Sequence, residues 1–362
     1  MIRHRQMMAQ RAQGGVVGRD VPIKLPLRGV HSQAEDSEVS TSFAAEVKNW
    51  LSVGTHLEIL PSATQISGAS AVRQRFSYEV GLTSAIIEVT GSAVTCAGHS
   101  IARSFTGVVS VAIISGQAIL CGKGANPVSW NGTVMANAGF VAPAGITMSQ
   151  MDGVLAHHDR VYFYSKDRDG GLDFFYGDVG AVTGSLLRFP MSRLGNITGH
   201  IVTAKVMTIN AGHGMNDVIC FFTSAGQIII YEGLDPGDAN DWRQIARVQT
   251  GSPIGSEAVF EVGGDLWMIT SGGILSVQDS ISRGALAQGS NISAPIADLI
   301  KAEAENTAAT WQAVLFADGS AVVINRVLAG VARQFIYQFD SQAWTTADLP
   351  AAWFWMTSKK IR

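Results

Sequence analysis

The chain has 362 residues, of which 47% are apolar and only 15% charged, with a formal net charge of −3. Soluble domains average about 25% charged residues, so surface-covering side chains are scarce here and mean hydropathy is positive at +0.19. This composition excludes disorder over most of the chain. It also excludes a membrane-spanning helix: the densest apolar stretch, residues 108–120, is interrupted by Ser110, Ser115, Gly116 and Gln117, well short of the roughly 20 residues a span needs.

Charge is distributed unevenly. Residues 1–30 hold Arg3, Arg5, Arg11, Arg19, Lys24 and Arg28 against Asp20, which makes this segment +5 and leaves −8 for the other 332 residues. An acidic body cannot displace counterions from phosphates, so it is not an electrostatic nucleic-acid binder. The basic start predicts an arm, residues 1–30, that orders on a partner, with Arg3, Arg5 and Arg11 as its contact residues. An Arg-rich, acid-poor start also suits an organellar leader. There is no apolar core for a secretory signal.

In chain order, residues 31–79 form a leading segment with a short helix and a strand. Thr41 or Ser42 can cap a helix running to about Leu51, with Phe43, Val47, Trp50 and Leu51 on one face. The remainder, residues 80–362, consists of short apolar runs separated by Gly, Asp, Asn and Ser. Runs of four to seven residues rich in Val, Ile, Phe and Tyr read as strands. Three pairs read as hairpins: 219–222 with 227–231, 266–269 with 274–277, and 314–316 with 321–324. The intervening glycines supply the positive φ of tight turns.

The residues before these three turns, Phe222, Ile269 and Phe316, are spaced by 47 twice over. A recurring sheet unit of about 40–50 residues marks a β-propeller blade. Looser candidates at Ile114 and Tyr164 extend the series. The expectation is an all-β chain: a β-propeller of about six blades, with short helical insertions and an N-terminal arm. A second helix begins near Ser293, with Pro295 in its first turn and Ile296, Leu299 and Ile300 as its apolar stripe. An irregular β-sandwich is the alternative fold.

Candidate chemistry is sparse. Gly98-His99-Ser100-Ile101-Ala102 has the outline of a nucleophile elbow, but a β segment follows where the elbow requires a helix. Asp167, Asp169 and Asp173 surround a Gly turn with calcium-loop spacing but lack the downstream bidentate Glu. An Asp-Gly hairpin turn explains them more simply. His157-His158-Asp159 has no second ligand cluster at a zinc-like spacing, and Gly122-Lys123-Gly124 lacks the phosphate-loop pattern. Trp353 and Trp355 alternate at strand spacing and suit packing. Cys96, Cys121 and Cys220 each lie in or beside an apolar run without C-x-x-C spacing, and are expected to be buried free thiols. No enzyme activity, metal or cofactor is expected.

Two stretches carry a resemblance. The first runs from Leu25-Pro26-Leu27-Arg28-Gly29 through Glu46-Val47-Lys48-Asn49-Trp50 to Leu57-Glu58-Ile59-Leu60-Pro61. The second begins at Leu155-Ala156-His157-His158-Asp159 and passes through Gly212-His213-Gly214-Met215-Asn216-Asp217. It continues with Thr223-Ser224-Ala225-Gly226, Tyr231-Glu232-Gly233-Leu234-Asp235-Pro236, Gly251-Ser252-Pro253-Ile254-Gly255 and Gly263-Gly264-Asp265-Leu266. Together they resemble the propeller-bearing tail nozzle or tail hub proteins of short-tailed bacteriophages. The resemblance implies a virion protein that forms a ring with copies of itself, six-fold in expectation. Such a ring sits below the portal and adaptor, contacts other tail proteins, and passes viral DNA without sequence-specific binding. The chain is shorter than many members, and residues 1–20 fall outside the resemblance. A receptor- or glycan-binding propeller is the second reading. A propeller hydrolase using Asp159 or Asp173 with calcium is the third.

Overall fold

In the computed structural model, the described residues are 25–32, 43–53, 56–60, 72–167, 169–210, 215–283, 291–316 and 320–349. Six antiparallel sheets follow one another along the chain as the blades of a β-propeller. Blade 1 holds β3 (Val72–Val80), β4 (Thr83–Thr90), β5 (Ala93–Cys96) and β6 (His99–Ala102). Blade 2 holds β7 (Ser110–Ile114), β8 (Gln117–Cys121), β9 (Val128–Trp130) and β10 (Met135–Asn137). In blade 3, β12 (Gly153–His157), β13 (Arg160–Tyr164), β14 (Phe174–Tyr176) and β16 (Leu187–Phe189) pair in that order. Blade 4 is β17 (Ile201–Asn210), β18 (Met215–Thr223), β19 (Gln227–Glu232) and β20 (Arg243–Gln249). Blade 5 has β21 (Val259–Val262), β22 (Asp265–Thr270) and β23 (Gly273–Ser276), followed by helix α1 (Val277–Arg283) where the other blades place a fourth strand. Blade 6 is β24 (Thr310–Phe316), β25 (Ala321–Leu328), β26 (Val331–Gln338) and β27 (Ala343–Ala347).

Blades stack because their middle strands are apolar on both faces, which produces continuous apolar runs instead of alternation. In β18, Ile219 and Phe221 pack toward blade 3, while Val218, Cys220 and Phe222 pack toward blade 5. The same division splits Ile229 and Tyr231 from Ile228 and Ile230 in β19. Equivalent clusters join blades 1 and 2 around Tyr78, Leu120 and Trp130, and blades 2 and 3 around Ile119, Phe163 and Phe175. Blades 5 and 6 meet at Trp267, Ile269, Val322, Phe335 and Trp344, and α2 (Ala297–Ala304) adds Ile300 there. This is the helix expected near Ser293, with Pro295 in the 3-10 turn that leads into it.

The far face of blade 6 is covered by the N-terminal segment. Residues 47–49 add to the outer edge of β27, where Val47 O accepts from Thr346 N at 2.9 Å and Thr346 O accepts from Asn49 N at 2.7 Å. The chain then folds back as the hairpin β1 (Trp50–Val53) and β2 (His56–Ile59), which sets Leu51 and Val53 against Val323, Ile336 and Ala347.

Three expectations need correction. Thr41 and Ser42 lie outside the described residues, and Phe43–Asn49 is irregular where a helix was expected. A helix of that length is marginal in water, whereas the open edge of β27 offers hydrogen bonds, and Asn49 reverses the chain at φ +61°. The propeller starts at Val72, upstream of residue 80. In β3, Gln74, Phe76, Tyr78 and Val80 alternate with Arg73, Arg75 and Glu79, and those charges conceal the strand in a run-based reading. Finally, Phe222 and Ile269 stand one residue before the end of the second strand of their blades, but Phe316 closes the first strand of blade 6, whose second strand ends at Leu328. The spacing of 47 is therefore not one structural repeat carried through all three.

Candidate functional site

In each blade, the loops after the first and third strands emerge at one end of the propeller, and the loops after the second strand and between blades emerge at the other. Hydrogen bonds stitch the first end together within and across blades. Tyr78 Oη donates to Gly116 O at 2.6 Å, Ser115 Oγ to Gly180 O at 3.0 Å, and Gly180 N to Asp159 O at 2.6 Å. Arg160 extends this seam into blade 4. Its guanidinium donates to Gly177 O and Leu234 O, both at 3.0 Å, lies 3.3 Å from Asp235 Oδ1, and sits 5.9 Å from the Tyr176 ring centre.

This end is acidic. Among its described loop residues stand Asp159, Asp178, Asp235, Asp238, Asp241 and Asp340, with no Lys or Arg. Asp241 accepts from the backbone N–H groups of Asp235 and Leu234, which holds its carboxyl below the usual carboxylate range. Leu82, Val134, Val179 and Leu234 project from the same loops in blades 1 to 4, all more than half exposed. The opposite end is mixed, with Arg103, Lys123, Lys166 and Arg193 beside Asp152, Asp167 and Glu257.

Beneath the acidic end, blades 3 and 4 share an aromatic layer that run-spotting in the sequence does not reveal. Tyr162 stacks on Trp242 at 6.0 Å and Trp242 on Tyr231 at 5.3 Å, while Phe174 stacks on both Phe189 and Phe221 at 4.8 Å. Burial raises the Tyr162 phenol and pushes Tyr231 up to about 12. His157, buried at the edge of this layer, is held down to about 4, first by burial and then by His158, whose ring centre is 4.0 Å away.

The central cavity is small. Phe76, Val111, Val154, Leu155, Ala204 and Lys205 from the inner strands of blades 1 to 4 line a volume of about 300 Å³, with Glu257 at its edge. That is room for on the order of ten waters, and its wall mixes these apolar side chains with Ser110, Thr203 and Lys205.

Asp173 is fully buried, ion-paired with Arg188, and accepts from Ser192 N at 2.9 Å. Asp167 pairs with Lys123, and nothing is described of the Asp169 side chain. Both described carboxylates thus already have protein cations as partners. Among the described residues, no three His, Cys, Asp or Glu side chains gather as metal ligands would. Ser100 lies on β6 opposite Thr95 of β5, a strand–turn–strand setting that cannot form an elbow. Cys96, Cys121 and Cys220 are free and buried, and burial raises all three thiols, Cys96 to about 11. Arg3, Arg5, Arg11, Trp353 and Trp355 lie outside the described residues. No described helix is long and apolar enough to cross a membrane.

No family model matches the chain, and no curated protein matches it. Solved structures do. The chain is similar to the WD40 β-propeller domain of Doa1 at 13% identity, covering 80% of this chain and 87% of that one, with a TM-score of 0.43. It is also similar to YCF48, solved bound to a D1 peptide, at 13% identity, covering 77% and 81% of the two chains, with a TM-score of 0.39. The chain is a six-bladed β-propeller.

Proposed function

We propose that this chain is a structural subunit of a short-tailed phage tail, assembling side by side with copies of itself into a nozzle or hub ring. The observation that carries the reading is the outer rim of the blades. Leu187 on β16 and Ile59 on β2 are more than half exposed, and Ile245 on the outermost strand of blade 4 is 38% exposed. Val141 on β11 (Phe140–Val141), which pairs with β15 (Gly184–Ser185) beside blade 3, is 60% exposed. Exposed apolar side chains on outlying strands, in a chain short of charges, are what lateral subunit contacts require.

The propeller's own cavity of about 300 Å³ cannot pass duplex DNA, so the conduit in this reading is the lumen enclosed by several copies. The acidic balance of the body suits a wall along which phosphates slide without being held. Phage-tail membership itself rests on the sequence resemblance. Light scattering on the purified protein tests the assembly. The wild type should elute as a multiple of the 38.4 kDa chain, and Leu187→Asp with Ile245→Asp should shift it toward single chains without lowering the melting temperature. A wild type that stays a single chain at all concentrations, and retains specific glycans, would overturn the reading.

A further inference from the structure

We propose that the loop end bearing Asp159, Asp178 and Asp340 is the docking surface for this protein's own basic segment, residues 1–24. The two are opposite in charge. Residues 1–24 carry Arg3, Arg5, Arg11, Arg19 and Lys24 against Asp20, while the described loops of this end carry aspartates and no Lys or Arg. The opposite end, with Arg103, Lys123, Lys166 and Arg193, offers no such contrast.

The described chain also starts beside this end. Leu27 O accepts from Ser52 Oγ, and Ser52 O accepts at 3.0 Å from Ser341 Oγ, which lies in the loop between β26 and β27. Gly29 then bridges Trp344 in parallel, and a turn closed by Gly29 N donating to Pro26 O at 3.0 Å sets Leu27 beside this loop of the acidic end. Twenty-four residues can reach roughly 80 Å when extended, enough to cross the loops of a propeller. Apolar groups match as well as charges. Val179 and Leu234 project among the aspartates, and the segment offers Met7, Met8, Val16, Val17, Val21 and Ile23. Arginines with interspersed apolar residues match aspartates with interspersed apolar tips.

The partner named here rests in part on the assembly proposed above, since the arm can come from a neighbouring copy. The test reports docking whatever the particle mass. In the full chain, Ala9→Cys carries a benzophenone, the native thiols being buried, and photo-adducts are mapped by mass spectrometry. Adducts should fall on the loops around Val134, Val179 and Leu234. They should be lost at 1 M salt, where the Debye length is about 3 Å. Replacing three exposed charges on either side should weaken them by roughly tenfold. The variants are Arg3→Ser with Arg5→Ser and Arg11→Ser, and Asp159→Asn with Asp178→Asn and Asp340→Asn, each checked for an unchanged melting temperature. Adducts at the opposite end, adducts spread evenly over the surface, or yields indifferent to both triple variants would overturn the proposal. A single-chain mass with adducts on these loops would overturn the ring and leave the docking standing.

Discussion

Protonation of His157 should destabilise the propeller in a defined pH window. The ring is buried beside Tyr162, its Nε2 has no hydrogen-bond partner, and its neighbour is another histidine. Burial, with His158 second, lowers its pKa from 6.5 to about 4, and Asp217 opposes this only in part. Because the folded value lies below the unfolded one, the neutral ring contributes its full stability above pH 6.5. That contribution falls as pH drops from 6.5 to about 4 and is gone below that. At 1.36 kcal/mol per pKa unit, the loss is about 3 kcal/mol. Carboxylates titrate in part of this window, so the readout is a difference between two proteins. Urea unfolding of the wild type and of His157→Phe should be compared at pH 7.5, 6, 5 and 4. Phenylalanine keeps the ring in the aromatic layer and removes the titration, so the variant should gain about 3 kcal/mol relative to the wild type on going from pH 7.5 to 4. A difference that stays constant with pH would refute this role for the ring.

Further outcomes follow from the same packing. Arg160→Ala removes two carbonyl contacts and the Asp235 pair across blades 3 and 4. It should cost about 2–4 kcal/mol in urea unfolding, with faster hydrogen exchange in the 233–242 loop. Gly233→Ala places a Cβ 2.5 Å from Asp241 O at a φ of +123°; it should lower stability by about 1–3 kcal/mol, and an unchanged melting temperature would contradict that geometry. Leu51→Ala empties the contact between β1 and blade 6 and should cost about 2–5 kcal/mol. The same substitution should speed proteolysis near Asn49.

Much of the fold is legible in the sequence because blade interiors are apolar on both faces, so runs such as 218–222 and 227–231 declare themselves. What stays hidden has local causes. Strand β3 mixes Arg73, Arg75 and Glu79 with its apolar face, and therefore does not look like a run. The clasp formed by residues 44–53 depends on an edge supplied by β27, some three hundred residues away in sequence, which no local pattern records. The fourth position of blade 5 is a helix, α1, started by Ser276, whose Oγ accepts from Asp279 N at 3.0 Å. That serine reads equally well as strand or cap. At the candidate site, the aspartates are visible one by one, but their convergence on one end follows only from the blade order. The calcium-like trio illustrates the converse, because spacing alone cannot show that Asp173 is already paired with Arg188.

Single-particle electron microscopy of the purified full-length protein tests the central proposal most directly. The proposed assembly predicts closed rings of propellers in contact through their outer strands, around a lumen wide enough for duplex DNA and poor in Lys and Arg. Isolated propellers at every concentration, or a ring lumen lined with basic side chains, would contradict it.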